Sequence, residues 1–336
     1  MEIVPLDAAD PDAMAAWHAT YHDAMVFGQD HPSPLMLEEM RADFLGERTG
    51  RRTQPVGGYV DGECVAIGVV ELPQLDNLDV AHVDVGTRPE SRRRGYGSAI
   101  LEHLTAVAVQ NGRRTLQAEA SWPYGAPTNG TGTPGAGFLT AHGFAFCLGD
   151  VKRMLDLPVA EALLDRLQQD AAPYHGDYAL RDFAGPVPAD IIDGFGDLVG
   201  SLMAEAPTGA MEIEAEVIDA TRIRADEKVL EASGRTRYVT VAVARDGGLA
   251  AYTELAVPSY EPERVYQWGT LVRPEHRGHR LGIATKVHNL RRLQAREPGR
   301  TAVTTYNAEA NRHMIAVNEA LGFRPVGRLG EFQRRL

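Results

Sequence analysis

The chain has 336 residues, a length that accommodates two domains of roughly 150 residues each. Its formal net charge of −12 argues against nucleic acid or an anionic membrane surface as a partner, because both select for a basic protein surface. The two cysteines show neither disulfide nor metal spacing, and the acidic N-terminus and the absence of a long apolar run argue against secretion or membrane insertion. We therefore expect a cytoplasmic protein that holds no metal.

The first half of the chain predicts strands and helices in alternation. Asp10, followed by Pro11, is typical of a helix start, and the alternating residues around Asp61-Gly62 indicate a β-hairpin. In chain order we predict a strand at 3–6, helices at 10–29 and after residue 34, strands at 56–60, 64–72 and 78–87, a helix after residue 97, a strand at 115–120, a short helix before Gly143-Phe144 and a final strand.

The second half repeats this order, which indicates a tandem duplication. In chain order it predicts a strand at 178–183, helices at 188–206 and 214–232, strands at 238–244, 249–257 and 265–272, a helix after residue 282, a strand at 301–306, a short helix before Gly322-Phe323 and a final strand. A helix at 159–171 and a break at 172–176 lie between the halves. We predict an N-terminal domain at 1–157, a helical linker at 158–176 and a C-terminal domain at 177–336.

A loop rich in arginine and glycine stands at the same point of both halves, between a strand and a helix. The first glycine loop is PESRRRGYG at 89–97, and the second glycine loop is PEHRGHRLG at 274–282. Such a loop presents unpaired backbone N–H groups at the positive end of a helix, which favours binding of an anion such as a phosphate. A nucleotide-binding loop is a weaker interpretation, because neither copy has a full GxGxxG or the Lys-Ser/Thr of a P-loop.

The segments 87–100 and 272–285 resemble the acetyl-CoA pyrophosphate loop of the GNAT superfamily, whose pattern is Arg/Gln-x-x-Gly-x-Gly/Ala. The first half matches it with Arg92, Gly95 and Gly97, whereas the second has Arg280 in place of the first glycine. The chain is similar over nearly its whole length to tandem actinobacterial GNAT proteins with an HRGHRLG loop, and more loosely to mycothiol synthase. The resemblance implies two tandem GNAT folds of mixed α/β sheet and an N-acetyltransferase that uses acetyl-CoA, the primary amine of a small molecule attacking the thioester directly.

The resemblance also assigns cofactor-binding residues in both halves. Asn311 lies in a motif expected beside the pantetheine arm, and the tyrosine that many GNAT enzymes use as the acid is replaced by Leu139 and Asn318, so the acid is unassigned. The residues expected to contact acetyl-CoA are Thr87, Arg92, Arg93, Arg94, Gly95, Tyr96, Gly97 and Ser98 in the first half, and Leu271, Val272, Arg277, Gly278, His279, Arg280, Leu281, Gly282 and Asn311 in the second.

The reaction needs a group that takes the ammonium proton from the acceptor. Glu254 is the candidate in the second half, with Glu71 or Asp84 as its counterpart in the first, although each carboxylate could instead be an ordinary exposed strand residue. The second half keeps the asparagine motif, so we predict that Glu254 and Asn307 are catalytic. The residues predicted to line the acceptor pocket are Gln267, Trp268 and Tyr306, whose aromatic members could alternatively belong to the core.

Two other interpretations remain open. One half could be a degenerate scaffold, or the chain could be a non-enzymatic acyl-CoA sensor or interaction module, which the missing tyrosines favour. As partners we expect a small-molecule amine, with a cationic amine suited to the acidic chain, and neither nucleic acid nor membrane. We expect a monomer or a homodimer.

Overall fold

The computed structural model describes residues 1–214 and 216–336, with the side chains of residues 203 and 204 left aside. The chain forms two compact units. The first unit comprises Met1–Val151, Thr208–Ile213 and Val326–Leu336, and the second comprises Lys152–Pro207 and Glu214–Pro325. The repeat in the sequence and the compact units therefore divide the chain differently.

The first unit contains helices and strands that alternate as the sequence predicts. Asp10 caps the first helix, its carboxylate accepting hydrogen bonds from the backbone of Asp12 and Ala13. In chain order the elements are β1 (Glu2–Pro5), α1 (Pro11–Val26), α2 (Leu37–Leu45), β2 (Arg51–Val60), β3 (Glu63–Pro73), β4 (Val80–Thr87), α3 (Tyr96–Gln110), β5 (Thr115–Pro123), α4 (Pro134–Ala141) and the start of β6 (Ala145–Asp156).

The second unit begins within β6 and repeats the pattern. In chain order its elements are α5 (Glu161–Ala171), β7 (Ala179–Ala184), α6 (Ile192–Gly200), α7 (Leu202–Glu205), α8 (Ala220–Ala232), β8 (Arg235–Val243), β9 (Leu249–Pro258), β10 (Arg264–Val272), α9 (Leu281–Arg296), β11 (Ala302–Ala308) and α10 (Arg312–Leu321). The last strand, β12 (Arg324–Arg335), returns almost entirely to the first unit.

The sheet of the first unit has the strand order β1-β2-β3-β4-β5-β12, with the start of β6 beyond β12. β12 runs antiparallel to β5, and Phe332 of β12 packs edge-on against Trp122, both almost fully buried. Two apolar clusters cover opposite faces of the sheet: one lies under α3 and α4, and the other under α1 and α2. The last strand of the chain is thus an integral part of the first core.

The sheet of the second unit runs from the end of β6 through β11-β10-β9-β8 to β7. α5 and α9 cover one face, where the apolar core includes Leu255, Leu290 and Val303. α6 and α8 cover the other face, where Phe195 packs edge-on against Tyr252. The predicted mixed α/β class is confirmed for both units.

Two predicted helices of the second half differ from the structure. The predicted helix at 188–206 is divided into α6 and α7, and the one at 214–232 begins only at Ala220, where Asp219 caps it. Residue 215 of that prediction lies outside the described residues. Among the helices of the described chain, none is long and apolar enough to cross a membrane.

Candidate functional site

The first glycine loop leads from β4 into α3 through a single turn at Pro89–Ser91. Arg93 and Gly95 both adopt the left-handed backbone conformation, with φ of 63° and 84°. Gly95 is the N-cap residue of α3. The backbone N–H groups of a first helical turn have no intrahelical partner, and here no side chain caps them. Exposed Arg94 stands beside them, and among the described residues neither Arg93 nor Arg94 has an ion-pair partner. This loop is open to solvent and has two arginines without ion-pair partners in the described part of the chain.

Gly97 faces the protein rather than open space. A Cβ at this position would lie 3.2 Å from the hydroxyl oxygen of Thr87 and 3.3 Å from the ring of Phe138. The neighbouring Arg92 is held on the protein, because its Nε donates to the Thr87 carbonyl at 3.3 Å and its guanidinium lies 4.5 Å from the Phe27 ring centre. Arg92 therefore anchors the loop, while Arg93 and Arg94 remain available.

The second glycine loop has the same backbone path although its sequence departs from the pattern. Gly278 and Arg280 are left-handed, with φ of 88° and 52°, at the positions that Arg93 and Gly95 occupy in the first loop. Glycine and arginine have thus exchanged places between the two copies. A non-glycine residue in this conformation costs about 1 kcal/mol, so Arg280 is tolerated without a change of fold.

The basic side chains of the second loop already have partners within their own unit. Arg277 forms an ion pair with Glu205 at 2.7 Å, and the His279 ring lies 2.9 Å from the Tyr174 carbonyl oxygen. The Arg280 guanidinium lies 4.9 Å from the Tyr174 ring centre. These side chains of the second loop are exposed but already have partners, in contrast to Arg93 and Arg94 of the first loop.

Two parallel strands diverge in front of each loop. β4 and β5 pair only from Val80 to His82, opposite Thr115 to Gln117. In the second unit β10 and β11 pair only from Arg264 to Tyr266, and a bulge between Gln267 and Thr270 interrupts the pairing of β10 with β9. Pairing that ends within a sheet leaves backbone groups free to face a ligand.

A row of four carboxylates crosses the first unit where β4 and β5 diverge. Glu331 of β12 is directly opposite Glu119 of β5, and Asp84 of β4 lies two residues beyond His82, as Glu119 lies two beyond Gln117. Asp150 of β6 completes the set, which we call the acid row: Asp84, Glu119, Asp150 and Glu331. Among the described residues, none forms an ion pair with these carboxylates. The row is a cluster of four acidic side chains without a cationic partner in the described part of the chain.

The acid row shifts the titration of its members. The pKa of Glu119 is raised to about 8, first by the loss of hydration among surrounding protein and then by Asp84, Glu331 and Asp150. The same loss of hydration, followed by Asp150, raises the pKa of Glu331 to about 7, and it raises that of Asp84 to about 6. Asp84 and Glu119 are nevertheless exposed residues. Solvent therefore reaches this end of the acid row.

Comparison with known proteins shows what the chain is similar to. The model of the Acetyltransferase (GNAT) family matches residues 14–121. The matched residues lie within the first half of the chain. A solved tandem GNAT protein from the clavulanic acid biosynthesis pathway, without AcCoA, is 28% identical, with a TM-score of 0.80 and coverage of 99% of this chain and 98% of that one. The whole chain therefore has the tandem GNAT fold.

A second solved structure, a GCN5-related N-acetyltransferase from Sphaerobacter thermophilus, is 13% identical, with a TM-score of 0.63 and coverage of 99% of this chain and 95% of that one. At that identity the likeness concerns the fold. The comparison with curated protein sequences gave no significant match. Family and fold together support an acyltransferase that uses an acyl-CoA.

The GNAT resemblance placed the catalytic base at Glu254 in the second half. The structure buries this side chain to 5% exposure on β9, where the Nε of Arg237 is 3.5 Å from one carboxylate oxygen. Burial raises the pKa of Glu254 and Arg237 opposes the rise. Gln267 is also buried. It lies at the bulge of β10, and its amide donates to the Glu254 carbonyl at 2.6 Å. The assignment of Glu254 stays a prediction.

The other predicted residues of the second unit lie at the divergence of β10 and β11. Trp268 and Tyr306 are partly exposed, and the Lys152 ammonium lies 5.5 Å from the Tyr306 ring centre. Asn307 accepts a hydrogen bond from the Asn318 amide at 2.6 Å, and Asn311 caps α10 by accepting from the Met314 backbone. The two asparagines therefore have structural partners here. In the described part of the chain, no group of histidine, cysteine and acidic residues could hold a metal ion.

Sequence reasoning proposed Asp84 but missed Glu119, Asp150 and Glu331. Glu331 reaches the site because β12 joins β5, a pairing between opposite ends of the chain that no local pattern announces. Glu119 was detectable in principle, since it lies near the end of the strand predicted at 115–120, which the GNAT fold places beside the cofactor. Its significance depends on neighbours from other strands.

Proposed function

We propose that the first unit is an N-acetyltransferase that transfers the acetyl group of acetyl-CoA to a primary amine of a cationic small molecule. The observation that carries this proposal is the juxtaposition, within one unit, of an open glycine loop and a strand divergence flanked by Asp84 and Glu119. The second unit differs in both features. The charged side chains of its loop already contact Glu205 and Tyr174, and its divergence is flanked by an aromatic residue and a lysine.

The residues of the first loop fit a pyrophosphate. The N-terminus of α3 and the two arginines supply positive charge, and Gly95 keeps the backbone bare where the anion would lie. By the GNAT resemblance, the thioester would lie between the diverging ends of β4 and β5. Acetyl-CoA supplies the acyl group, and backbone N–H groups left unpaired by the divergence would polarise its carbonyl.

The carboxylates provide the proton acceptor. With a pKa of about 6, Asp84 is ionised at neutral pH, whereas Glu119, at about 8, holds its proton. Asp84 takes a proton from the ammonium, and the neutral nitrogen then forms the bond to the acyl carbon while the carbon–sulfur bond breaks. The electron pair of the carbon–sulfur bond leaves with the sulfur. The nitrogen loses its second proton as it becomes an amide, and that proton goes to the departing thiolate, directly or through water, to give the free thiol.

The acid row also explains why a cationic acceptor is favoured. An ammonium group placed among four carboxylates lowers their mutual repulsion, and a second ammonium on the same molecule would find the carboxylates of Glu331 and Asp150. The contacts that Arg277, His279 and Arg280 of the second loop already make favour a supporting role for the second unit. The alternative assignment, with Glu254 as base, is retained as the competing outcome of the experiment below.

The test is steady-state kinetics of Asp84→Asn and Glu254→Gln with acetyl-CoA and a panel of amines that includes putrescine, spermidine and lysine. We expect Asp84→Asn to lower kcat by on the order of 10²-fold with little change in the Kd of acetyl-CoA, as for a lost general base. Glu254→Gln should leave kcat within a few-fold if it folds normally, which the melting temperature checks. A silent Asp84→Asn beside an inactive Glu254→Gln would reverse the assignment of the two units.

A further inference from the structure

A short segment of the second half of the chain is bound to the first unit. We call residues Thr208–Ile213, which connect α7 to α8, the strap. The backbone N–H of Glu212 donates to the side-chain oxygen of Gln333 at 2.9 Å, and its carbonyl accepts from the Gln117 amide at 3.1 Å. The Glu212 carboxylate pairs with Arg335. Both strands β5 and β12 therefore hold the strap.

The other end of the strap is fixed on β6. Ala210 donates its backbone N–H to the Cys147 carbonyl at 3.3 Å, and Gly209 is left-handed with a φ of 60°. A Cβ at position 209 would collide with the same carbonyl oxygen of Cys147. Glycine is thus required at 209 both for the backbone conformation and for the close approach.

The strap lies next to the acid row. Gln117 and Gln333 are opposite each other in the register, and the next pair on the same face of β5 and β12 is Glu119 and Glu331. Two residues along a strand span about 7 Å, the width of one small ligand. Since the first glycine loop follows the far end of β4, the strap marks the end of the site that is remote from the loop.

Burial of Gln117 agrees with this position. Its side chain is only 4% exposed, and it donates both to the strap and to Gln333, the latter at 3.1 Å. Without the strap this polar pair would be open to the ligand. The strap replaces that surface with its own backbone, so a molecule bound at the acid row cannot extend further along β5.

We propose that the strap is a wall of the acceptor site of the first unit and selects amines that lie across the strands. The proposal rests on the proposed function of that unit. An extended amine then runs along the acid row, whose four strands span about 14 Å at the usual spacing. Branched or bulky amines are excluded because they meet Glu212 and its neighbours. The second half of the chain thereby sets the specificity of the first.

The test compares Gly209→Ala, which displaces the strap, with Gly112→Ala as the matched control. Gly112 is also left-handed, with a φ of 74°, but a Cβ there meets no other group within 4 Å. The substrates are spermidine, which is linear, and the branched tris(2-aminoethyl)amine. We expect Gly209→Ala to shift the ratio of kcat/KM toward the branched amine by about tenfold. The Kd of acetyl-CoA should not change, and Gly112→Ala should keep the wild-type ratio.

An unchanged ratio in Gly209→Ala would overturn the proposal, as would an equal shift in both variants. Should the wild type acetylate none of the amines, the proposed function fails, and hydrogen exchange then decides on the strap. Slower exchange at 208–213 upon addition of spermidine supports a wall of an amine site. Unchanged exchange at saturating spermidine contradicts it.

Discussion

Glu331 offers the sharpest test of the acid row, because it comes from the last strand of the chain and is remote from the assigned base in sequence. Replacing Glu331 by Gln keeps the shape and removes one negative charge. At pH 8 the wild-type side chain is ionised, since its pKa is about 7. In Glu331→Gln a diamine should therefore lose the attraction between its second ammonium and the Glu331 carboxylate, which a monoamine of the same length never has.

The magnitude follows from the register. Glu331 stands directly opposite Glu119, so an amine at Glu119 can place its second ammonium roughly 4 Å from the Glu331 carboxylate. At that distance the attraction is about 1 kcal/mol in water and about 4 kcal/mol at an effective dielectric constant of 20. Glu331 is partly exposed, so we take a value near the lower limit, about 1.4 kcal/mol, which corresponds to a tenfold change.

The assay is acetylation of putrescine and of n-butylamine by wild type and Glu331→Gln at pH 8. The KM for putrescine should rise about tenfold, the KM for n-butylamine should change less than about twofold, and the difference should shrink at high salt. An equal effect on both amines, or none on either, would refute the idea that the acid row holds a second ammonium.

Three further predictions concern stability and pH. Lys286→Leu, which copies Leu101 of the first repeat, should raise the melting temperature, because burial lowers the pKa of Lys286 to about 7. Between that pH and the ordinary lysine pKa of 10.5 the unfolded chain binds more protons than the folded one. The gain in the free energy of unfolding, up to about 5 kcal/mol, should therefore be full below pH 7 and fade as the pH rises toward 10.5. Phe332→Ala should lower the free energy of unfolding by about 3–5 kcal/mol and increase hydrogen exchange in β5. The increase in β5 would be absent if β12 belonged to the core of the second unit. The kcat/KM of the wild type should fall as pH drops through about 6, where Asp84 takes up a proton, and Asp84→Asn should flatten that limb; a limb unchanged in the variant would exclude Asp84 as its source.

Most of the fold could be predicted because its signals are local. The hairpin around Asp61-Gly62, the cap at Asp10 and the two glycine loops each depend on a few adjacent residues, and the structure has them where the sequence placed them. The duplication repeats the same order of patterns in the second half, so each element is predicted twice. The exchange of glycine and arginine between the two loops shows that the backbone path is retained even where the pattern is not.

What could not be predicted depends on contacts distant in the sequence. The helix predicted from 214 begins only at Ala220, where Asp219 caps it, and Glu212 further upstream is bound to Gln117 and Gln333. No local pattern around Glu212 indicates these partners, which lie about 100 residues away in the sequence. The same holds for the acid row, in which Glu331 meets Glu119 only after the chain has folded.

Binding of acetyl-CoA tests the central claim most directly, since it reports which unit carries the cofactor site. Isothermal titration of the wild type should give one acetyl-CoA per chain. Gly97→Val, which crowds Thr87 and Phe138 behind the first loop, should abolish most of that binding, whereas the matched Gly282→Val should leave both stoichiometry and Kd unchanged. Binding that survives Gly97→Val and disappears with Gly282→Val would contradict the assignment of the reaction to the first unit.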